Sequence, residues 1–149
     1  MSDLVGQEAP DFTLRDQDGQ KVTLSELRGQ TIVLVFYPLD WSPGCTDQLN
    51  LYQDARNEFG DATMYGISVD SAFSHKAFQQ ELGIEFSLLA DFEPKGEVAR
   101  KYDMYMEKHG TNERGFVVID PEGKIKHWHK SPSPLEIPAP QLIVDAISA

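Results

Sequence analysis

Thr31 to Tyr37 is nearly all apolar and rich in β-branched residues, the pattern of a strand buried on both faces. Pro38 stops it. Beyond the loop Leu39 to Gly44, Leu49, Tyr52, Ala55 (or Arg56) and Phe59 recur at helical spacing and predict a helix over Thr46 to Phe59, closed by Gly60. Met64 to Val69 reads as a second buried strand. Ser74 to Leu82 reads as a helix capped by Ser74 and ended by Gly83. A short extended piece at Phe86 to Leu89 and a short helix at Gly96 to Tyr102 follow. Gly115 to Ile119 and Lys124 to Trp128 flank Asp120-Pro121-Glu122-Gly123, a strong turn signal, and predict an antiparallel hairpin. Near the start, Asp11 to Leu14 and Lys21 to Leu24 alternate around Asp16-Gln17-Asp18-Gly19 and predict a smaller hairpin. Ser25 to Gly29 reads as a helical turn. Ser131 to Pro140 holds four prolines and forms no regular element, and Gln141 to Ile147 closes the chain as a helix.

This order predicts a three-layer α/β/α sandwich. Strand, helix, strand, helix, then a hairpin and a last helix is the order of a thioredoxin-like domain, here with an added N-terminal β-hairpin. In such sheets ligands bind at the carboxyl ends of the strands. The loop after Tyr37 falls there.

Composition narrows the class. The chain of 149 residues fits one domain, 1–149, and 40% hydrophobic with 25% charged residues is ordinary for a globular protein. No stretch approaches the ~18 apolar residues of a membrane span. Met1-Ser2-Asp3-Leu4-Val5 lacks a basic flank and a long apolar run, so no signal peptide is expected and the location expected is cytoplasmic. A net charge of -11 argues against nucleic-acid and anionic-membrane partners, whose phosphates need Lys and Arg.

The chemistry gathers at Cys45, the one cysteine. It excludes an internal disulfide and any Cys-x-x-Cys pair, so a reaction at this thiol must be completed by another molecule. Pro38 stands seven residues before it and Ser42 three before. Chance produces that pair less than about 1% of the time at average residue usage. Cys45 falls at the expected first turn of a helix, where unpaired N–H groups and the helix dipole favour the thiolate. Pro43 and Gly44 let the backbone turn tightly, and the Ser42 hydroxyl can exchange a hydrogen bond with the sulfur or a bound oxygen. Arg114, just before a predicted core strand, is the cation best placed to complete the site.

Pro38-x-x-x-Ser42-x-x-Cys45 resembles the active-site motif Pro-x-x-x-Thr/Ser-x-x-Cys of the peroxiredoxins, thiol peroxidases of the thioredoxin fold. The resemblance runs nearly the whole length, through Ala9-Pro10-Asp11-Phe12-Thr13-Leu14, Ile67-Ser68-Val69-Asp70, Leu88-Leu89-Ala90-Asp91 and Arg114 to Gly123. It implies that Pro38, Ser42, Cys45 and Arg114 are the catalytic set, with Gln48 holding the arginine and Pro38 packed over the sulfur. It implies no cofactor. The Cys45 thiolate would attack a hydrogen peroxide or organic hydroperoxide and become a sulfenic acid, with Arg114, Ser42 and the Cys45 N–H stabilising the charge. Where one branch carries a second cysteine five residues on, this chain has Asn50. It therefore resembles the one-cysteine members, most closely the alkyl hydroperoxide reductase E type. Its reductant would be a thioredoxin, a glutaredoxin-like protein or a low-molecular-weight thiol, and a homodimer through the loops beside Cys45 is compatible with the family. Trp41, where Phe is commoner, would widen the apolar wall or add contact area to a dimer.

Two rivals stay open on the residues alone. A thiol-disulfide oxidoreductase of this fold normally needs a second thiol. A peroxide sensor would bind a partner once Cys45 oxidises and turn over little. His127 and His129 share one strand face but are too few for a specific metal site, so no metal is expected. Asp91, Glu93 and Glu97 read as a solvated acidic face. Asp40, His109 and Glu113 are candidates to line the pocket mouth without acting as acid or base. Trp41, Phe36, Phe116 and Met104 read as core or interface residues.

Overall fold

The computed structural model describes residues 3–149; Met1 and Ser2, the start of the segment read for a signal peptide, lie outside the described residues. β3 (Ile32–Phe36) is buried at every position, as its unbroken apolar run requires. It pairs in parallel with β4 (Thr63–Ser68), which pairs in parallel with β5 (Ser87–Ala90). On its other side β3 meets β8 (Gly115–Ile119) antiparallel, and β8 turns back into β9 (Ile125–Lys130). The N-terminal hairpin of β1 (Thr13–Arg15) and β2 (Lys21–Thr23) joins the same sheet, because Arg15 of β1 pairs with Ala90 of β5. The seven strands run in the order β2-β1-β5-β4-β3-β8-β9.

Alternation along β3 builds the layers. Val33 and Val35 pack with Tyr52, Phe59, Ile143 and Ala146, from α1 (Pro43–Asp54), the 3₁₀ turn that follows it, and α4 (Pro140–Ser148). Ile32, Leu34 and Phe36 pack on the opposite face with Val98, Ala99 and Tyr102, around α3 (Glu97–Lys101). The three-layer α/β/α arrangement is the expected one, with the N-terminal hairpin added at one edge of the sheet.

Several local expectations need correction. The first helix begins at Pro43, three residues earlier than its apolar spacing suggested, because Pro at the first helical position gives up an N–H that has no intrahelical partner. It ends at Asp54. Ala55 turns out of helical geometry, and Arg56–Phe59 tightens into a 3₁₀ turn. In α2 (Ala72–Leu82) the cap is Ser71, whose side chain accepts the Ser74 N–H; Ser74 lies inside the first turn. Gly83 ends α2 in the left-handed region, as expected. A two-stranded ribbon of β6 (Tyr105–Met106) and β7 (Thr111–Asn112) had no sequence signal, since two-residue strands carry no period.

Candidate active site

Cys45 is fully buried at the third position of α1, at the carboxyl end of β3. Ser42 caps the helix, and its Oγ accepts the Cys45 N–H at 3.3 Å. That N–H, read from the sequence as a donor to a bound oxygen, meets the Ser42 hydroxyl here. A hydroxyl that accepts at a lone pair keeps its own proton, so Ser42 still has a donor to offer. Pro38 is half-buried and ends β3, seven residues before the sulfur. The sulfur shares an apolar wall with Tyr37, Leu49, Phe78, Ile84 and Leu88.

Arg114 reaches this point because β8 runs antiparallel to β3, with Gly115 opposite Phe36. The residue before β8 therefore lies at the end of β3 where the loop to Cys45 departs. The guanidinium is buried and held on three sides. Its Nε donates to the Pro134 carbonyl at 2.7 Å, Nη1 to Gln48 Oε1 at 2.5 Å, and Nη2 faces Cys45 Sγ at 3.6 Å. Such a fork fixes a cation in direction as well as in place. The Arg114 carbonyl is pinned in turn by the Ser131 N–H at 2.8 Å. Gly44 makes room: a Cβ there would stand 3.0 Å from Nη2. The proline-rich segment thus has a use that composition did not suggest, supplying the carbonyl that orients Arg114. Among the described residues Gln48 Nε2 has no hydrogen-bond partner, so its amide is oriented by the oxygen toward Arg114.

Other candidates fall elsewhere. Asp40 is buried, not at a pocket mouth; its carboxylate takes hydrogen bonds from Tyr37 and Ser74 and contacts His75. That network, with a histidine 35 positions away, had no sequence signal. His109 is exposed in the turn between β6 and β7, and Glu113 stands 4.0 Å from Lys130. Asp91 is not solvated: it is buried and accepts the Val98 and Ala99 N–H groups at the start of α3, and burial pushes its pKa up. Glu93 and Glu97 are exposed. His127 and His129 both lie against Phe116, at 5.5 and 5.4 Å between ring centroids, and burial holds the His127 pKa down. Phe36, Phe116 and Met104 are core; Trp41 is 51% exposed, with its ring 5.0 Å from Phe78. A groove of about 670 Å³ beside the hairpin, lined by Leu14, Phe73, Ala90 and Phe92, contains none of the Cys45 cluster. Among the described residues no helix is long and apolar enough to cross a membrane.

Comparison with known proteins gives one answer. Residues 5–128 match the AhpC/TSA family. The chain is 38% identical over 148 residues to alkyl hydroperoxide reductase E of Mycobacterium tuberculosis, covering 97% of this chain and 96% of that one. It is 38% identical over 135 residues to peroxiredoxin Bcp of Bacillus subtilis, covering 85% of each. Among solved structures, peroxidoxin BcpB from Mycobacterium tuberculosis superposes with a TM-score of 0.84 at 28% identity, over 97% of this chain and 96% of that one. AhpC of Enterococcus faecalis superposes at 0.88 with 26% identity, over 99% and 92%. With a single cysteine, as a one-cysteine mechanism requires, the chain belongs to the AhpC/TSA family, the peroxiredoxins.

Proposed function

We propose that this chain, as one domain over residues 1–149, reduces hydrogen peroxide and organic hydroperoxides through Cys45. The observation that carries the reading is the Arg114 guanidinium, fixed by Pro134 and Gln48 with its remaining nitrogen 3.6 Å from the sulfur. The Cys45 thiolate attacks the terminal peroxide oxygen. The O–O bond breaks, the departing oxygen takes a proton as water or alcohol, and Cys45 is left as a sulfenic acid. Charge on both oxygens builds against Arg114, the Ser42 hydroxyl and the amino end of α1, donors already in position before the reaction.

With no second cysteine in the chain, two equivalents of an external thiol complete the cycle. The first attacks the sulfenic sulfur, releasing water and leaving a mixed disulfide; the second releases Cys45 and carries away the external disulfide. The two electrons come from those thiols, so no cofactor enters. Thioredoxin, a glutaredoxin-like protein or a small thiol each fits this role. Leu39 and Trp41, exposed beside the site, support a homodimer through these loops. A cytoplasmic location is the reading we favour, although a relative in rice, 39% identical over 129 residues, is named chloroplastic.

The test is stopped-flow mixing of reduced protein with a small excess of hydrogen peroxide, with sulfenic acid counted by mass spectrometry. Stoichiometric oxidation orders of magnitude faster than a free thiol, and turnover on adding a thiol reductant, are expected. Oxidation at the rate of a simple thiol would overturn the reading in favour of a site without peroxidase activity.

A further inference from the structure

Asp40 lies in the loop between β3 and α1, and His75 in the first turns of α2; both side chains are fully buried. Their hydrogen bonds fix how many protons they hold. His75 Nε2 is 3.0 Å from the Leu89 carbonyl oxygen, which only accepts, so Nε2 carries a hydrogen. His75 Nδ1 is 2.7 Å from Asp40 Oδ2. That contact also needs a hydrogen, either on Nδ1 as imidazolium or on Oδ2 as carboxylic acid. In both arrangements the pair holds one proton more than a carboxylate beside a neutral imidazole, and its net charge is zero. Without that proton two acceptors would face each other around a buried negative charge, an arrangement that buried sites avoid.

The neighbours complete the case. Tyr37, just beyond β3, donates to Asp40 Oδ1 at 2.6 Å; burial pushes its hydroxyl well above the usual range, so it stays a donor. Ser74 donates to Asp40 Oδ2 at 2.9 Å and takes the Trp41 indole N–H at 3.3 Å. Asp70, after β4, accepts the Asp40 backbone N–H at 2.8 Å and the Ser68 hydroxyl. Asp70 and Tyr37 are the ionisable groups that face the pair from the strands. Trp41 itself sits at φ 73°, a left-handed conformation that a bulky residue keeps only when its surroundings impose it. Its ring packs on Phe78, which, like Tyr37, belongs to the wall around the sulfur.

We propose that Asp40 and His75, sharing one proton, form a positioning unit for the peroxide reaction of Cys45: they lock the loop before α1 onto α2 and keep an unpaired anion out of the wall beside the sulfur. No hydrogen bond joins either residue to Cys45, so both act through the loop. The proposal rests on the peroxidase reading above.

Two measurements test it. In the wild-type protein at neutral pH, ¹H and ¹⁵N spectra should show a hydrogen on His75 Nε2 and a strongly deshielded proton shared between Nδ1 and Asp40. Absence of that shared proton would overturn the proposal. The second is a double-mutant cycle on the rate of Cys45 oxidation. His75→Asn leaves Asp40 a neutral donor but no shared proton, and should slow oxidation roughly tenfold. Asp40→Asn puts an amide N–H where the shared proton stood, and should slow it about threefold. The double variant should oxidise faster than His75→Asn alone, because the stranded carboxylate is gone. Losses that simply multiply would reduce the pair to a packing role and overturn the proposal. If His75→Asn does not fold, the wild-type spectrum still decides. Slow oxidation of the wild type would sink the peroxidase reading and leave the proton-sharing result standing. A fast wild type without the shared proton would sink only the present inference.

Discussion

β3 and β4 lie side by side and each runs through a short loop into a helix whose first turn is capped by serine. In α1, Ser42 accepts the Cys45 N–H at 3.3 Å; in α2, Ser71 accepts the Ser74 N–H at 3.2 Å. Both helices therefore present a nucleophile-type side chain, Cys45 or Ser74, at the same third position, with the same dipole behind it. What faces that side chain differs. Cys45 Sγ meets the guanidinium of Arg114, and Ser74 Oγ donates a hydrogen bond to Asp40 Oδ2. A helix start supplies a bias toward anions worth well under about 2 kcal/mol. The charge brought to it by a distant strand decides whether that bias becomes a reactive site or a structural tie.

The largest effect comes from making the two helix starts alike. Cys45→Ser puts a hydroxyl at both third positions, and peroxide consumption should fall to background, at least about a thousandfold, since a serine hydroxyl is not ionised near neutral pH. Retained activity in a peroxide-consumption assay would break the mechanism. Arg114→Ala removes the cation that separates the two sites. Loss of one preorganised donor of this kind costs roughly 10²–10³ in rate, so stopped-flow oxidation should slow by that order. An unchanged rate would show that the guanidinium takes no part.

Gly44→Ala sharpens the same point with a smaller change. The new methyl would stand 3.0 Å from Arg114 Nη2 and push it from the sulfur. Gly44 lies within helix α1 and is not among the positive-φ glycines, so alanine should hold or raise stability, by up to about 1 kcal/mol. A roughly tenfold slower oxidation with an undiminished denaturation midpoint is expected. Slowing accompanied by unfolding would point to strain in place of displaced charge. Ser42→Ala and Ser71→Ala then compare the caps. Each should cost about 1 kcal/mol of stability in denaturant melts, and only Ser42→Ala should also slow oxidation, by several-fold. Equal kinetic losses in both would mean that Ser42 acts only as a cap.

The legible parts of this architecture were those with a short-range signature. The all-buried β3, the Pro38, Ser42 and Cys45 spacing, and the turn from β8 to β9 each sit within a few residues. Arg114 was legible as a cation just before a predicted core strand, but Gln48 only through family resemblance, because their meeting is made by the antiparallel register of β8 on β3. The cap of α2 was misplaced because Ser71 and Ser74 stand three apart, and either serves an apolar pattern that begins later. The start of α1 was misplaced because Pro43 and Gly44 look like loop residues until Ser42 caps them. Asp91 was grouped with Glu93 and Glu97 by proximity, yet it turns inward to cap α3. The Asp40 and His75 contact leaves no trace at all, since a buried polar pair across two elements has no period and no composition.

The α2 side of the comparison also carries a pH signature, the smallest effect expected. Asp70 ties the Asp40 backbone N–H to the end of β4, and burial pushes its carboxyl pKa up from the ordinary value. A carboxyl that holds its proton more tightly in the folded state stabilises the fold at low pH, and that contribution is lost as pH rises through the raised folded value. Asn at this position still offers an acceptor oxygen to Asp40 and Ser68 but has no proton to gain. The melting temperature of the wild type minus that of Asp70→Asn should therefore increase as pH falls from 7 toward 4. A difference that stays flat would mean that Asp70 titrates as it does in the unfolded chain. A difference that shrinks would mean that the hydrogen bonds from Asp40 and Ser68 to the ionised carboxylate outweigh its burial. In that case the α2 helix start would hold an anion as comfortably as Arg114 lets the α1 start do, and the contrast between the two would rest on geometry alone.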